Sequence, residues 1–175
     1  MRVAILTVSD GAMAGRRSDE SGPALRAACE AQGWSVVAAD ILADETGQIS
    51  ERMRAWADAG TSDLILTTGG TGVAARDLTP EATALVLERT LPGLPELMRS
   101  RGTEQTPTAV LSRGMAGTRG RTLIVNLPGS PRGAVFSFGV IASLVPHVVQ
   151  LLRGHTEHDG PSDGSGRNRL PFRDI

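Results

Sequence analysis

Positions 3–8 read Val-Ala-Ile-Leu-Thr-Val and stop at Ser9-Asp10-Gly11. An apolar run without alternation predicts a strand buried on both faces, central in a parallel sheet. Set behind Arg2 and ahead of Ala12-Met13-Ala14, the run imitates a signal peptide, but it is too short for one and is interrupted at Ser9. Ser21-Gly22-Pro23 opens a helix with Leu25, Ala28 and Cys29 on its buried face, and Gly33 closes it. A second strand follows over 34–42, carrying Val36, Val37 and Ile41, and then a loop over 43–47. Ile49, Met53, Trp56 and Ala57 recur at helical spacing and predict an amphipathic helix ending near Gly60. A third strand, 63–68, runs straight into Gly69-Gly70-Thr71-Gly72.

Further on, Thr79 as N-cap, Pro80 in the first turn and Glu81 beside the positive end predict a helix burying Ala82, Leu85 and Val86. A short segment over 95–102, a strand around 108–112 and a clear strand over 122–127 come next. Pro128-Gly129-Ser130-Pro131 then leads into a long helix from about 132 to 153, apolar on two opposite stripes. Such a helix is covered on both sides, by sheet and helix within the chain or by another subunit. With Pro146 and His147 inside it, it reads as a buried helix rather than a membrane span. Residues 1–153 are read as one domain, and 154–175, rich in Gly, Ser, Asp, Arg and Pro, as a polar, mobile tail. Strands alternating with helices argue a doubly wound α/β sheet, whose ligands sit beyond the carboxyl ends of the strands. Four loops lie there: Ser9-Asp10-Gly11, Ala43-Asp44-Glu45, Thr68 to Gly72 with Asp77, and Asn126 to Ser130.

Composition narrows the chemistry. The 18 basic residues, all Arg, balance 19 acidic ones in 175 residues, so no bulk charge draws the chain to nucleic acid, and 3% aromatic content offers no base-stacking platform. Without Lys there is neither a Walker loop nor a Schiff base. Cys29 alone excludes a disulfide framework and a thiolate cluster and fits a reducing, cytoplasmic setting. His147, His155 and His158 lack the spacing and third ligand of a metal site. The glycines of Thr68-Gly69-Gly70-Thr71-Gly72 let successive N–H groups converge on one anion, with the Thr68 and Thr71 hydroxyls as extra donors; the bland alternative is a tight turn. Asp44 and Asp77 would repel phosphate beside that nest unless a cation intervened, which points to Mg²⁺ held by both; the bland alternative is a solvated acid and a turn cap. Asn126-Leu127-Pro128-Gly129-Ser130 precedes a helix whose first N–H groups are free, making a second anion or nucleobase platform or simply a well-capped helix.

Taken in order, Thr7-Val8-Ser9-Asp10, Thr67-Thr68-Gly69-Gly70-Thr71-Gly72, Arg76-Asp77-Leu78-Thr79-Pro80-Glu81-Ala82-Thr83, Leu111-Ser112-Arg113 and Asn126-Leu127-Pro128-Gly129-Ser130 resemble the MogA/MoaB family of molybdenum-cofactor proteins, which includes the amino-terminal domain of gephyrin. The resemblance spans about residues 2–153. It implies a three-layer αβα sandwich with a mostly parallel sheet, a homotrimer, and Mg²⁺-dependent transfer of AMP from ATP to the terminal phosphate of molybdopterin, with pyrophosphate released. Asp44 matches the acid of the family's Pro-Asp-Glu loop, with Ala43 in place of the proline, and Asp77 that of Arg-Asp-Val-Thr-Pro, with Leu78 in place of valine. Those two acids are then the catalytic and metal residues. Ser9, Asp10, Thr68, Gly69, Gly70, Thr71 and Gly72 bind the molybdopterin phosphate, and Asn126, Leu127, Pro128, Gly129 and Ser130 bind the nucleotide. A downstream partner would be a molybdenum-insertion protein; neither nucleic acid nor membrane is expected. Two alternatives share these motifs: a MoaB-like binding protein with little catalysis, and another nucleotide-phosphate enzyme on the same fold.

Overall fold

A computed structural model describes residues 1–155. The tail expected over 154–175 therefore lies almost wholly outside the described residues. Six strands form one sheet in the order β2-β1-β3-β6-β5-β4. They are β1 (Arg2–Val8), β2 (Ser35–Leu42), β3 (Leu64–Thr68), β4 (Arg89–Thr90), β5 (Ala116–Arg119) and β6 (Thr122–Leu127). The first four in spatial order run parallel; β5 is antiparallel to β6, and β4 in turn antiparallel to β5. The helices are α1 (Asp10–Met13), α2 (Ser21–Ala31), α3 (Thr46–Asp58), α4 (Thr79–Ala84), α5 (Gly93–Gly102), α6 (Pro131–Ile141) and α7 (Val145–Leu152).

Alternation along the central strands sorts the core into two layers. Val3, Ile5, Leu64, Leu66, Leu123, Val125 and Leu127 face α2, α5, α6 and α7, together with Leu25, Cys29, Met98 and Phe138. Ala4, Leu6, Val8, Ile65 and Ile124 face α3 and α4, against Ile49, Met53, Ala57, Ala82 and Val86. The product is a three-layer αβα sandwich whose central strands are buried on both sides. Trp34 and Phe138 meet edge to face at 5.4 Å beneath the first layer.

Four expectations are corrected. No strand forms at 108–112; a 3-10 turn, Pro107–Leu111, stands there, opened by a proline that cannot donate to a ladder. The long helix of 132–153 is two helices, α6 and α7, bent by 62°. Pro146 lacks an N–H and its ring collides with the carbonyl four residues back, so the helix breaks at 142–144. Leu85 is exposed because α4 ends at Ala84. Thr79 is not the N-cap but the first helical residue, its side chain engaged elsewhere. The short strands β4 and β5 and the single-turn α1 were not expected.

Candidate active site

The strand order reverses between β1 and β3, and that reversal opens a crevice beyond their carboxyl ends. A cavity of about 1400 Å³ fills it, bordered by Ser9, Asp10, Asp44, Thr68 to Val73, Asp77, Asn126 and Pro128 to Gly133. The turn after β3 lies so close to β1 that a Cβ on Gly69 (φ 102°) would overlap the Val8 carbonyl. Gly70 (φ 62°) leaves equally little room: a Cβ there would strike Thr79 Oγ1 and come within 2.9 Å of Asp44 Oδ1. Only glycine takes both the left-handed backbone and the close approach.

Thr79 fixes this turn from behind. Its N–H donates to the Gly70 carbonyl at 3.0 Å and its Oγ1 to the Gly69 carbonyl at 2.8 Å. Gly69 N–H donates to the Leu127 carbonyl. The next four amides, those of Gly70, Thr71, Gly72 and Val73, have no protein acceptor among the described residues. Successive unpaired N–H groups at a cavity wall suit an anion. Ser130 caps α6, accepting from Gly133 N–H at 3.2 Å, and brings a second set of helix-end amides to the same cavity.

Asp44 and Asp10 exchange reciprocal hydrogen bonds: Asp10 N–H donates to Asp44 Oδ2 at 2.9 Å and Asp44 N–H to Asp10 Oδ1 at 3.0 Å. This knits the loop after β1 to the loop after β2. Asp44 is only 8% exposed, and burial pushes its carboxyl above the usual range; the Asp10 N–H opposes that shift, while the Asp10 charge adds to it. Asp77 Oδ2 accepts from Ala74 N–H at 2.8 Å, closing a small hairpin, and leaves Oδ1 without a protein donor. Among the described residues, Asp44 Oδ1 and Asp77 Oδ1 have no protein partner, and both carboxylates border the cavity as hard oxygen donors, the donor chemistry that fits Mg²⁺ shared with phosphate. Among the described residues no three metal-ligating side chains cluster.

Several predicted site residues are otherwise engaged. Asp10 forms a two-pronged ion pair with Arg76 (2.8 and 2.9 Å), which holds its carboxyl below the usual range, and Arg76 also reaches Glu45. Ser9 caps α1 and accepts from Arg17. The Thr68 hydroxyl donates to the Pro128 carbonyl at 2.7 Å and is fully buried, so it is no phosphate donor; the Thr71 hydroxyl has no protein partner and borders the cavity. Leu127 is a core residue. Asn126 spends its amide inside the protein, donating to Thr67 and Thr83 hydroxyls and accepting from Met115 N–H. Sequence reasoning missed Thr79, Arg76 and Arg113 as builders of the site, and Asp19, whose carboxylate accepts from Thr7 Oγ1 and from the Ser21 and Gly22 amides at the start of α2. Apart from the local contacts of Asp19 with Ser21 and Gly22, these contacts join residues far apart in sequence, which no local periodicity encodes.

What fold and cavity define by themselves is a doubly wound α/β domain with an anion-receptive crevice at its reversal point. Residues 4–147 match the family described as "Probable molybdopterin binding domain", and the chain belongs to that family. It is 38% identical to a Helicobacter pylori protein named molybdopterin adenylyltransferase, covering 89% of each chain. It is 42% identical to the Drosophila melanogaster molybdenum cofactor synthesis protein cinnamon over 85% of its own length, and spans a quarter of that longer protein. The crystal structure of the molybdopterin biosynthesis enzyme MoaB from Thermus thermophilus superposes with a TM-score of 0.83 at 50% identity, covering 87% of this chain and 96% of that one.

Proposed function

We propose that this chain is a molybdopterin adenylyltransferase of molybdenum cofactor biosynthesis, transferring AMP from ATP to the terminal phosphate of molybdopterin and releasing pyrophosphate. One observation carries the reading: four unpaired amides and two carboxylates with free oxygens border one cavity large enough for two phosphate-bearing substrates. The relatives' names set the reaction class.

In this reading the amides of Gly70 to Val73 and the Thr71 hydroxyl hold the molybdopterin phosphate, and the amino end of α6 receives nucleotide phosphate. Asp44 and Asp77 would hold Mg²⁺, which would supply neutralisation of the phosphate charge. No general base is needed, because a phosphate monoester with a second pKa near ~6 already presents an anionic oxygen at neutral pH. The main barrier is repulsion between anions, and oriented N–H donors lower it at no reorganisation cost. Asp10, paired with Arg76, holds the Asp44 loop rather than touching substrate. The protein works in the cytoplasm as a homotrimer and passes its product to a molybdenum-insertion protein.

Purified chain supplied with ATP, Mg²⁺ and molybdopterin should yield adenylylated molybdopterin and pyrophosphate, and should consume ATP only when molybdopterin is present. Tight molybdopterin binding without ATP consumption would make it a binding protein instead. ATP hydrolysis without molybdopterin would point to another nucleotide enzyme.

A further inference from the structure

Arg113 stands outside the cavity: its neighbours Ser112 and Gly114 border it, but Arg113 itself does not. Yet it holds the Gly72–Asp77 hairpin at both of its ends. Its backbone N–H donates to the Thr71 carbonyl at 2.9 Å, Nε to the Gly72 carbonyl at 2.6 Å and Nη2 to the Asp77 carbonyl at 2.5 Å. Nη1 is anchored on Glu81 in the first turn of α4. The segment that carries Arg113 is itself tied down, because Arg99 Nη1 donates to the Ser112 and Gly114 carbonyls at 3.3 and 3.4 Å.

These contacts have a directional consequence. In a trans peptide the carbonyl and the following N–H point opposite ways. With the Thr71 and Gly72 carbonyls drawn to Arg113, the N–H groups of Gly72 and Val73 are turned the other way, and neither has a protein acceptor. The grip on the Asp77 carbonyl simultaneously fixes the backbone from which the Asp77 carboxylate projects. A planar guanidinium with several donors in a fixed fork can span both ends of a hairpin; an ammonium cannot.

We infer that Arg113 is a positioning residue for adenylyl transfer: through the Thr71, Gly72 and Asp77 carbonyls it sets both the amide nest and the height of the Asp77 carboxylate that would hold Mg²⁺. The inference rests on the functional reading above. Its test does not depend wholly on it. The amides of Ala74 and Asp77 are hydrogen-bonded within the hairpin, to Asp77 Oδ2 and to the Ala74 carbonyl, so their hydrogen exchange reports the hairpin directly. In the full-length Arg113→Ala variant both should exchange at least about tenfold faster while core amides stay protected. The transfer rate should fall by about 100-fold, and half-saturation by Mg²⁺ should rise by about 10- to 100-fold. Free guanidinium ion should restore part of the rate to Arg113→Ala, and Arg113→Lys, with one compact donor group, should recover only a minor fraction.

Unchanged exchange at Ala74 and Asp77 would overturn the inference, as would a rate loss with unaltered Mg²⁺ dependence. If the wild-type chain forms no adenylylated molybdopterin, the functional reading falls, and the exchange rates alone still decide whether Arg113 holds the hairpin.

Discussion

At Asp44 two demands conflict: the carboxylate is nearly buried, and the proposed chemistry needs it charged. Burial raises its pKa, so folding disfavours its charged form relative to the unfolded chain. A carboxyl whose folded pKa lies above its unfolded value weakens the fold once it ionises; the cost is absent below the unfolded pKa and fully present above the folded one. Asp44→Asn should therefore melt higher than wild type at pH 7, with the gap closing as pH falls toward about 4. Its transfer rate should drop by at least about 100-fold while molybdopterin binding, which rests on neutral N–H and hydroxyl donors, persists. A lower melting temperature at pH 7, or retained activity, contradicts this account. Cys29 offers the opposite case, a buried thiol pushed up to about 12, inert core material as its helical position suggested. Thus a residue's place on a periodic face was readable from sequence. The partners that tune Asp44, drawn from loops 32 to 34 positions away, were not.

Among the elements, β1, β3 and β6 were legible because strands buried on both faces must be apolar throughout, and few other segments are. The edge strands were not: β5 is Ala-Gly-Thr-Arg and β4 only Arg-Thr, held by pairing to a neighbour rather than by their own composition. The bend between α6 and α7 hangs on Pro146, a local signal outweighed in the reading by an unbroken apolar pattern. At the start of α6 the sequence signal and the structure coincide, with Ser130 as cap and Pro131 just inside. Ser130→Ala should cost about 1 kcal/mol in urea denaturation. Ser130→Asp restores a cap and suits the helix dipole, so its stability should be close to wild type. If that end receives nucleotide phosphate, the added negative charge should weaken ATP binding in calorimetry; unaltered affinity would move the nucleotide elsewhere in the cavity.

On the scale of the whole molecule, the layers leave apolar surface uncovered on the α6–α7 side, where Val135, Leu144 and Leu151 are exposed while Val140 and Val148 are half-buried. The second apolar stripe is thus not fully covered by the described residues, and the proposed self-association would cover it. Light scattering at micromolar concentration should return three times the chain mass, and a monomer would remove the trimer from the functional reading. At the amino ends of the strands, opposite the cavity, Asp63 is gripped from two directions, by Arg2 through backbone and side chain and by Arg153 at 2.9 Å. Burial opposes its charge, but those donors prevail and keep its carboxyl well below the usual range. One carboxylate therefore clasps the opening of β1 to the close of α7, at the pole away from the cavity. The first strand and the last described helix thus share one lock, set at the pole opposite the mouth through which ATP and pterin would enter.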